Sequence, residues 1–295
     1  MPKTNRRKFV LASLTVLALP RRGSTAEQPG LRFGLVTDAH YADYETLGNR
    51  HYRESLTKMR ECVESMNQQG AQFLVDLGDF NDGARKPAEE DALRYLSEIE
   101  AQFARFAGPR YHVLGNHNMD ALSKTQVLGQ IKNTGIDPEL SYFSFDRGGR
   151  RFLVLDACFR SDGAPYDRGD FHWTDANIPA QELQWIQEQL EDSPHPVIVF
   201  IHQLLDGSGN IFVENAAEVR KVLEDSGKVL AVFQGHHHSG SYRELEGIHY
   251  YTLRAMVEGS GPENSSYALV DVQPDRIVVK GYRRAVDQTI SSQQP

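Results

Sequence analysis

The chain has 295 residues, of which 40% are apolar and 24% are charged. These proportions are typical of a globular protein and exclude a chain that is disordered throughout. The formal charge is −8, which argues against broad nucleic-acid binding, because that function needs a basic surface. A chain of this length forms one large domain or two small ones.

The first 26 residues predict an export signal peptide. Basic residues open the segment, residues 9–19 are apolar, and small residues at 24–26 offer a cleavage site. The run NRRKFV at residues 5–10 is typical of a twin-arginine signal, with an ordinary secretory signal as the alternative. We therefore expect a periplasmic or extracellular protein, with no stable membrane anchor after cleavage. Removing the six basic residues of this segment from the 32 in the chain leaves 26 against 40 acidic residues.

Residues 27–295 predict a single α/β domain whose first half has alternating strands and helices. Strands are expected at 31–37, 72–77 and 110–114, because these runs are short and apolar. Helices are expected between them, at 51–69 and 87–106. Strand and helix in alternation indicate a parallel sheet with right-handed crossovers.

The second half repeats this alternation and adds antiparallel strands. A hairpin is expected at 141–156, followed by a long surface loop at 158–177. The remaining predicted elements are helices at 179–190 and 214–225 and strands at 196–201, 229–234, 241–245, 249–253, 267–272 and 276–280. The two halves together predict a four-layer αββα sandwich of two mixed sheets with flanking helices.

Five apolar runs end in side chains that bind metals. The runs are LVTDAH, LVDLGD, VLGNH, VFIHQ and VFQGHHH, and they supply Asp38, His40, Asp79, Asn116, His202, His236 and His238. Sites in such sheets form at the carboxyl ends of strands. Mixed Asp, Asn and His ligands suit manganese, iron or zinc. Taken singly, each residue has an ordinary alternative as a turn, a helix cap or a buried structural histidine, but the ordered set predicts two divalent ions.

The order of these motifs resembles the calcineurin-like metallophosphoesterase family over essentially the whole mature chain. The resemblance implies that Asp79 bridges two ions. It implies a first set of ligands at Asp38, His40, Asp79 and His238, and a second at Asp79, Asn116, His202 and His236. It also implies that His117 is the catalytic acid and that Asp82 is a supporting acidic residue. The family usually has an acidic residue after the Gly-Asn-His motif, whereas this chain has Asn118, which cannot stabilise an imidazolium as a charge would.

Shorter segments resemble the manganese-dependent ADP-ribose/CDP-alcohol diphosphatase group. They are Tyr41 to Asp43, the HYRESL run at 51–56, the segment from Gly78 to Gly83, the QELQWI run at 181–186 and PDR at 274–276. This resemblance implies manganese and a small phosphorylated substrate such as a nucleotide conjugate, cleaved at its pyrophosphate. A broad phosphomonoesterase or phosphodiesterase is the alternative, and a non-catalytic metal-stabilised binding protein is a more distant one.

Substrate specificity is expected from the segments at 43–50, 160–177 and 204–212. Their aromatic residues have two interpretations, stacking on a base or packing within the loops; they are Tyr44, Tyr166, Phe171, His172, Trp173 and Phe212. Arg254 is expected to contact a phosphate or form a surface ion pair. Cys62 and Cys158 are expected to be buried free thiols, with a disulfide between them in an oxidising compartment as the alternative. The sequence leaves the oligomeric state open.

Overall fold

The structure is a computed structural model that describes Met1 and residues 30–291. The export-signal prediction therefore lies outside the described residues apart from Met1. Within the described residues, no helix is long and apolar enough to cross a membrane.

The first sheet contains strands from the beginning and from the end of the domain sequence. Its strands are β1 (Leu31–Val36), β2 (Leu74–Asp76), β3 (Arg110–His112), β10 (Ser266–Val272), β11 (Arg276–Arg283) and β12 (Gln288–Ser291). Their spatial order is β12-β11-β10-β1-β2-β3. Strands β1, β2 and β3 are parallel, and β10 pairs antiparallel with β1. The parallel strands are connected by helices, which are α1 (Ser55–Gln68) and α2 (Glu89–Phe103).

The second sheet has six strands in the order β4-β5-β6-β7-β9-β8. They are β4 (Phe143–Arg147), β5 (Arg150–Val154), β6 (Val197–Phe200), β7 (Val229–Gln234), β8 (Ser241–Leu245) and β9 (Ile248–Thr252). Strands β5, β6, β7 and β9 are parallel, whereas β4 and β8 are antiparallel edge strands. The helices of this half are α4 (Ala180–Asp192) and α5 (Ala216–Asp225); a further short helix, α3 (Lys124–Gln130), precedes β4.

The two sheets pack face to face through an aromatic core. The ring of Phe33 lies 4.8 Å from Phe73 in the same sheet and 5.6–5.9 Å from Phe152, Phe200 and Phe233 of the other. All five side chains are fully buried. Separate apolar clusters lie under the helices on each outer face. The predicted four-layer αββα sandwich is therefore confirmed.

Most predicted elements are present, with ends that differ by a few residues. The strand predicted at 110–114 is shorter, because it ends at His112 before the Gly115 turn. Two elements were not predicted, α3 and the edge strand β12. Cys62 and Cys158 are buried and unpaired, as predicted.

Candidate metal centre

The predicted ligands follow strands whose carboxyl ends meet along one edge of the sandwich. Asp38 and His40 follow β1, Asp79 follows β2, and Asn116 follows β3. From the second sheet, His202 follows β6, and His236 and His238 follow β7. Ligand atoms lie within 4.8 Å of one another in the groups Asp38–His40–His238, His40–Asp79–His117 and Asp79–His202–His236. The fold therefore brings together side chains that are up to 200 residues apart in sequence.

The backbone at four of these positions is in the left-handed region, which non-glycine residues rarely adopt. The φ angles are 51° at Asp38, 46° at His40, 53° at Asp79 and 64° at His236. Such a conformation costs on the order of 1–3 kcal/mol for each residue and persists only where surrounding structure imposes it. Four of the eight non-glycine residues that have a positive φ in the described part of the chain are predicted ligands, which indicates a functional constraint.

Two glycines allow the ligand loops to approach each other. A Cβ at Gly115 would lie 2.2 Å from the backbone N of Asp79, and one at Gly235 would lie 2.1 Å from Thr37 Oγ1. No side chain fits at such distances. The glycines in the Gly-Asn-His and Gly-His motifs are therefore required by packing between adjacent ligand loops.

Carboxylates fix the orientation of two imidazoles. His40 Nδ1 lies 2.9 Å from Asp82 Oδ2, and His238 Nδ1 lies 2.6 Å from Glu258 Oε1. A carboxylate accepts the Nδ1 proton, so each neutral ring presents the bare lone pair of Nε2. The two Nε2 atoms are only 3.1 Å apart, and each lies 3.5–3.6 Å from Asp38 Oδ1. These three ligand atoms therefore lie close enough to one another to bind one cation together.

A second group of ligand atoms converges on Asp79. His202 Nδ1 is held by the carbonyl oxygen of Leu77 at 2.8 Å, so its Nε2 faces Asp79 Oδ2 at 3.1 Å. The same Oδ2 lies 3.6 Å from His40 Nε2. The other carboxylate oxygen, Oδ1, accepts the backbone N–H of His117. Asp79 Oδ2 therefore lies within reach of both groups, and its role as a bridging ligand stays a prediction.

Three buried atoms of the centre lack a hydrogen-bond partner: Asp38 Oδ1, Asn116 Oδ1 and His202 Nε2. Buried polar atoms are almost always paired. All three are oxygen or nitrogen acceptors of the type that manganese, iron and zinc bind. The donor set of this structure therefore fits a pair of divalent cations. The assignment of each residue to one ion stays a prediction.

The electrostatics of the centre suit a cation site. Burial would raise the pKa of Asp38, but the imidazoles of His238 and His40 hold it well below its ordinary value. Burial also opposes ionisation of Asp79, yet nearby His202 lowers its pKa. Burial and the neighbouring His202 lower the pKa of His236 to about 3, so its ring is neutral and available as a ligand. The site therefore presents ionised carboxylates beside a neutral imidazole at neutral pH.

His117, the predicted acid, is held by a carboxylate that the sequence did not point to. Its Nδ1 lies 2.5 Å from Asp120 Oδ2 and 3.8 Å from Asp82 Oδ2. Burial alone would lower the pKa of His117, but the carboxylates of Asp79 and Asp120 raise it to about 10. A bound cation opposes this effect. In the family an acidic residue directly follows the histidine. In this chain the carboxylate beside His117 is that of Asp120, three residues after it.

Asn118 has a different contact from the one that its position suggested. Its Oδ1 accepts the backbone N–H of Gly115 at 2.8 Å, and its Nδ2 donates to Asn81 Oδ1 at 2.9 Å. Asn118 therefore shapes the loop that carries Asn116 and His117.

Most of the predicted stacking residues pack within their loops. Tyr166 is fully buried and stacks on Phe171 with ring centroids 3.9 Å apart. Trp173 is different, because 42% of it is exposed and its ring lies 5.7 Å from His236. Arg254 donates to the carbonyl oxygens of Ser239 and Arg284. Among these residues, Trp173 is the exposed aromatic side chain beside the ligands.

A cavity of about 740 Å³ lies at the opposite end of the second sheet. It is lined by residues at the amino ends of β6 and β7, including Pro196 and Val229, and by His195 and His249. The predicted ligands follow the carboxyl ends of the same strands. The chemistry therefore places the functional site away from this cavity.

Comparison with known proteins agrees with this geometry. No family model matches the chain. The manganese-dependent ADP-ribose/CDP-alcohol diphosphatase of Arabidopsis thaliana is 27% identical over 89% of this chain and 97% of its own length. The human protein of the same name is 24% identical over 92% of this chain and 96% of its own.

Solved structures share the fold. A dimetal phosphatase from Danio rerio has a TM-score of 0.79 and 25% identity, covering 90% of this chain and 99% of that one. A purple acid phosphatase from yellow lupin has a TM-score of 0.62 and 14% identity, covering 88% of this chain and 53% of that one. The predicted resemblance to the calcineurin-like metallophosphoesterases and to the diphosphatase group is confirmed.

Proposed function

We propose that this protein is a dinuclear metal-dependent hydrolase of phosphoester and pyrophosphate bonds, that its metal is manganese, and that its substrates are nucleotide conjugates such as ADP-ribose or CDP-alcohols. The observation that carries the proposal is the convergence of ligand atoms in two groups that share Asp79, together with three buried ligand atoms that lack a hydrogen-bond partner. The similarity to diphosphatases over about nine-tenths of the chain supports the substrate class.

The ligand residues hold the ions, and the neighbouring residues supply proton transfer. When bound, a pair of divalent ions lowers the pKa of water and neutralises charge on phosphate oxygens. Asp79 Oδ1 anchors the backbone N–H of His117, which fixes the acid relative to the bridging carboxylate. Asp120 holds Nδ1 of His117 and stabilises its protonated form. This leaves Nε2–H of His117 to donate a proton to the departing oxygen.

The rim of the centre supports a substrate with an aromatic group. Trp173 is exposed, although large apolar side chains are usually covered, and it lies against His236. An indole face in this position stacks on a nucleobase while the phosphates reach the metal centre.

The test combines metal analysis with a substrate panel. The wild-type protein should bind two manganese ions and hydrolyse ADP-ribose and CDP-choline faster than p-nitrophenyl phosphate. His236→Ala should abolish turnover. The control is His237→Ala, which should retain turnover, because His237 belongs to the same histidine run but lies outside the ligand groups. Full activity of His236→Ala would refute the site. A preference for simple monoesters or diesters would replace the substrate class by the broader phosphoesterase alternative.

We also propose that the protein is exported through the segment at residues 1–26, as one domain comprising residues 27–295. The basic start, the apolar stretch and the small residues at 24–26 support this proposal. Changing Arg6 and Arg7 to lysine should trap the protein in the cytoplasm if the signal is of the twin-arginine type. Unchanged export would favour the ordinary secretory signal, and no export of the wild type would overturn the proposal.

A further inference from the structure

A buried lysine lies behind the metal centre and has no part in the proposed chemistry. Lys58 is on α1, and its side chain is completely buried. Its ammonium has three N–H donors and lies within hydrogen-bonding distance of four successive backbone carbonyl oxygens: those of Met256 at 3.0 Å, Val257 at 3.4 Å, Glu258 at 3.3 Å and Gly259 at 2.6 Å. Burial lowers the pKa of Lys58 to about 8, so the folded protein bears a cost for holding this charge.

The segment that surrounds the ammonium, residues 256–259, also touches the ligand loops. The backbone N–H groups of Met256 and Val257 donate to the carbonyl oxygens of Thr37 and Asp38, at 3.1 and 3.0 Å. Within the same segment, the carboxylate of Glu258 holds Nδ1 of His238 at 2.6 Å. The position of one predicted ligand, His238, and the backbone of another, Asp38, therefore depend on the conformation of this segment.

We propose that Lys58 is a positioning residue that holds residues 256–259 in place, so that Glu258 fixes the His238 imidazole for metal binding. Four carbonyl dipoles pointing into one buried space repel each other unless a cation lies between them. Without the ammonium the segment must open, and the Glu258 carboxylate moves with its own backbone. His238 then loses the partner that fixes its tautomer, and outer-shell partners of this kind alter metal affinity by about 10–100-fold when they are removed.

The inference rests on the proposed dinuclear centre, and its test measures metal binding rather than activity. The full chain is stripped of metal and titrated with Mn²⁺ by calorimetry, with metal content checked after dialysis. Lys58→Met keeps the length of the side chain and removes the charge. This variant should bind one of the two ions about tenfold more weakly than the wild type.

Lys228 provides the matched control. Its ammonium also donates to three backbone carbonyl oxygens, those of Leu190, Glu191 and Ser193, at 2.6, 3.0 and 2.9 Å. It lies at the amino end of β7, away from the predicted ligands. Lys228→Met should therefore destabilise the fold without altering Mn²⁺ affinity. A loss of affinity in both variants would indicate general destabilisation and overturn the inference.

Glu258→Gln tests the second link independently of whether Lys58→Met folds. Glu258→Gln should weaken the binding of one Mn²⁺ ion to a similar extent. Adding Lys58→Met to this variant should cause little further loss of affinity, because both changes act through His238. Wild-type affinity in Lys58→Met or in Glu258→Gln would overturn the inference and leave the proposed function intact. Failure of the wild-type protein to bind Mn²⁺ would overturn the proposed function and this inference together.

Discussion

Replacing Asp120 by asparagine tests whether this carboxylate makes His117 a useful acid. The change keeps the shape of the side chain but removes the negative charge that lies 2.5 Å from His117 Nδ1. Both side chains are mostly buried, with 16% and 21% exposed, so solvent screens their interaction only in part. A hydrogen bond to a charged group contributes about 1.5–3 kcal/mol. Loss of that contribution in the transition state slows the reaction roughly tenfold to a hundredfold.

The assay compares two substrates whose leaving groups differ in their need for a proton. Asp120→Asn should slow hydrolysis of an alkyl phosphate, whose alkoxide leaving group needs a proton, and should affect p-nitrophenyl phosphate by less than about threefold, because nitrophenolate departs without protonation. In a His117→Ala background the same change should have almost no effect. Equal slowing of both substrates, or an undiminished effect without His117, would refute the reasoning. Asp167→Asn, which lies on the surface, controls for a general charge effect.

Three further predictions concern the rim, the loops and the buried charges. Trp173→Ala should raise KM for ADP-ribose by an amount that corresponds to roughly 1–3 kcal/mol of lost stacking. KM for inorganic pyrophosphate, which has no base, should stay unchanged, and an equal change in both KM values would contradict stacking. Gly115→Ala should displace Asp79 and abolish Mn²⁺ binding, since the added Cβ meets its backbone N at 2.2 Å. Gly129→Ala, which has nothing within 4 Å, should retain binding. Glu182 is buried in α4, and burial together with the nearby Asp156 raises its pKa. Its folded-state pKa exceeds its unfolded value, so stability present at acidic pH is lost as the pH rises above about 4.3. In urea unfolding of the metal-free protein, the stability gained by Glu182→Gln should therefore grow between about pH 4 and pH 7; a gain independent of pH would contradict this reasoning.

The convergence of the predicted ligands was predictable because each of them lies next to a strand that the sequence marks clearly. An apolar run followed by Gly-Asp or Gly-His gives both the strand end and the residue that follows it. The parallel arrangement then brings all these ends to one edge. His202 was the weakest single prediction, since one buried histidine has many structural explanations, and its role becomes clear only beside Asp79.

The residues that the sequence missed depend on contacts that motif spacing does not show. Glu258 follows β9 in an irregular segment, and nothing local connects it with His238, 20 residues earlier. Asp120 had a possible signal, because Asn116–Met119 forms a 3₁₀ turn in which side chains three residues apart share a face. Helix α3 had a clearer one, since Ser123 and Gln126 form a capping box.

The features that set this centre apart are unfavourable to the folded chain. Left-handed backbone at Asp38 and Asp79 raises the free energy of the native state. This strained backbone directs the ligand side chains toward one another. The aromatic core between the sheets provides rigid, fully buried packing immediately beneath the ligand loops. The backbone adopts unfavourable conformations where the predicted ligands converge, and packing in the rest of the fold supplies the stability that maintains these conformations.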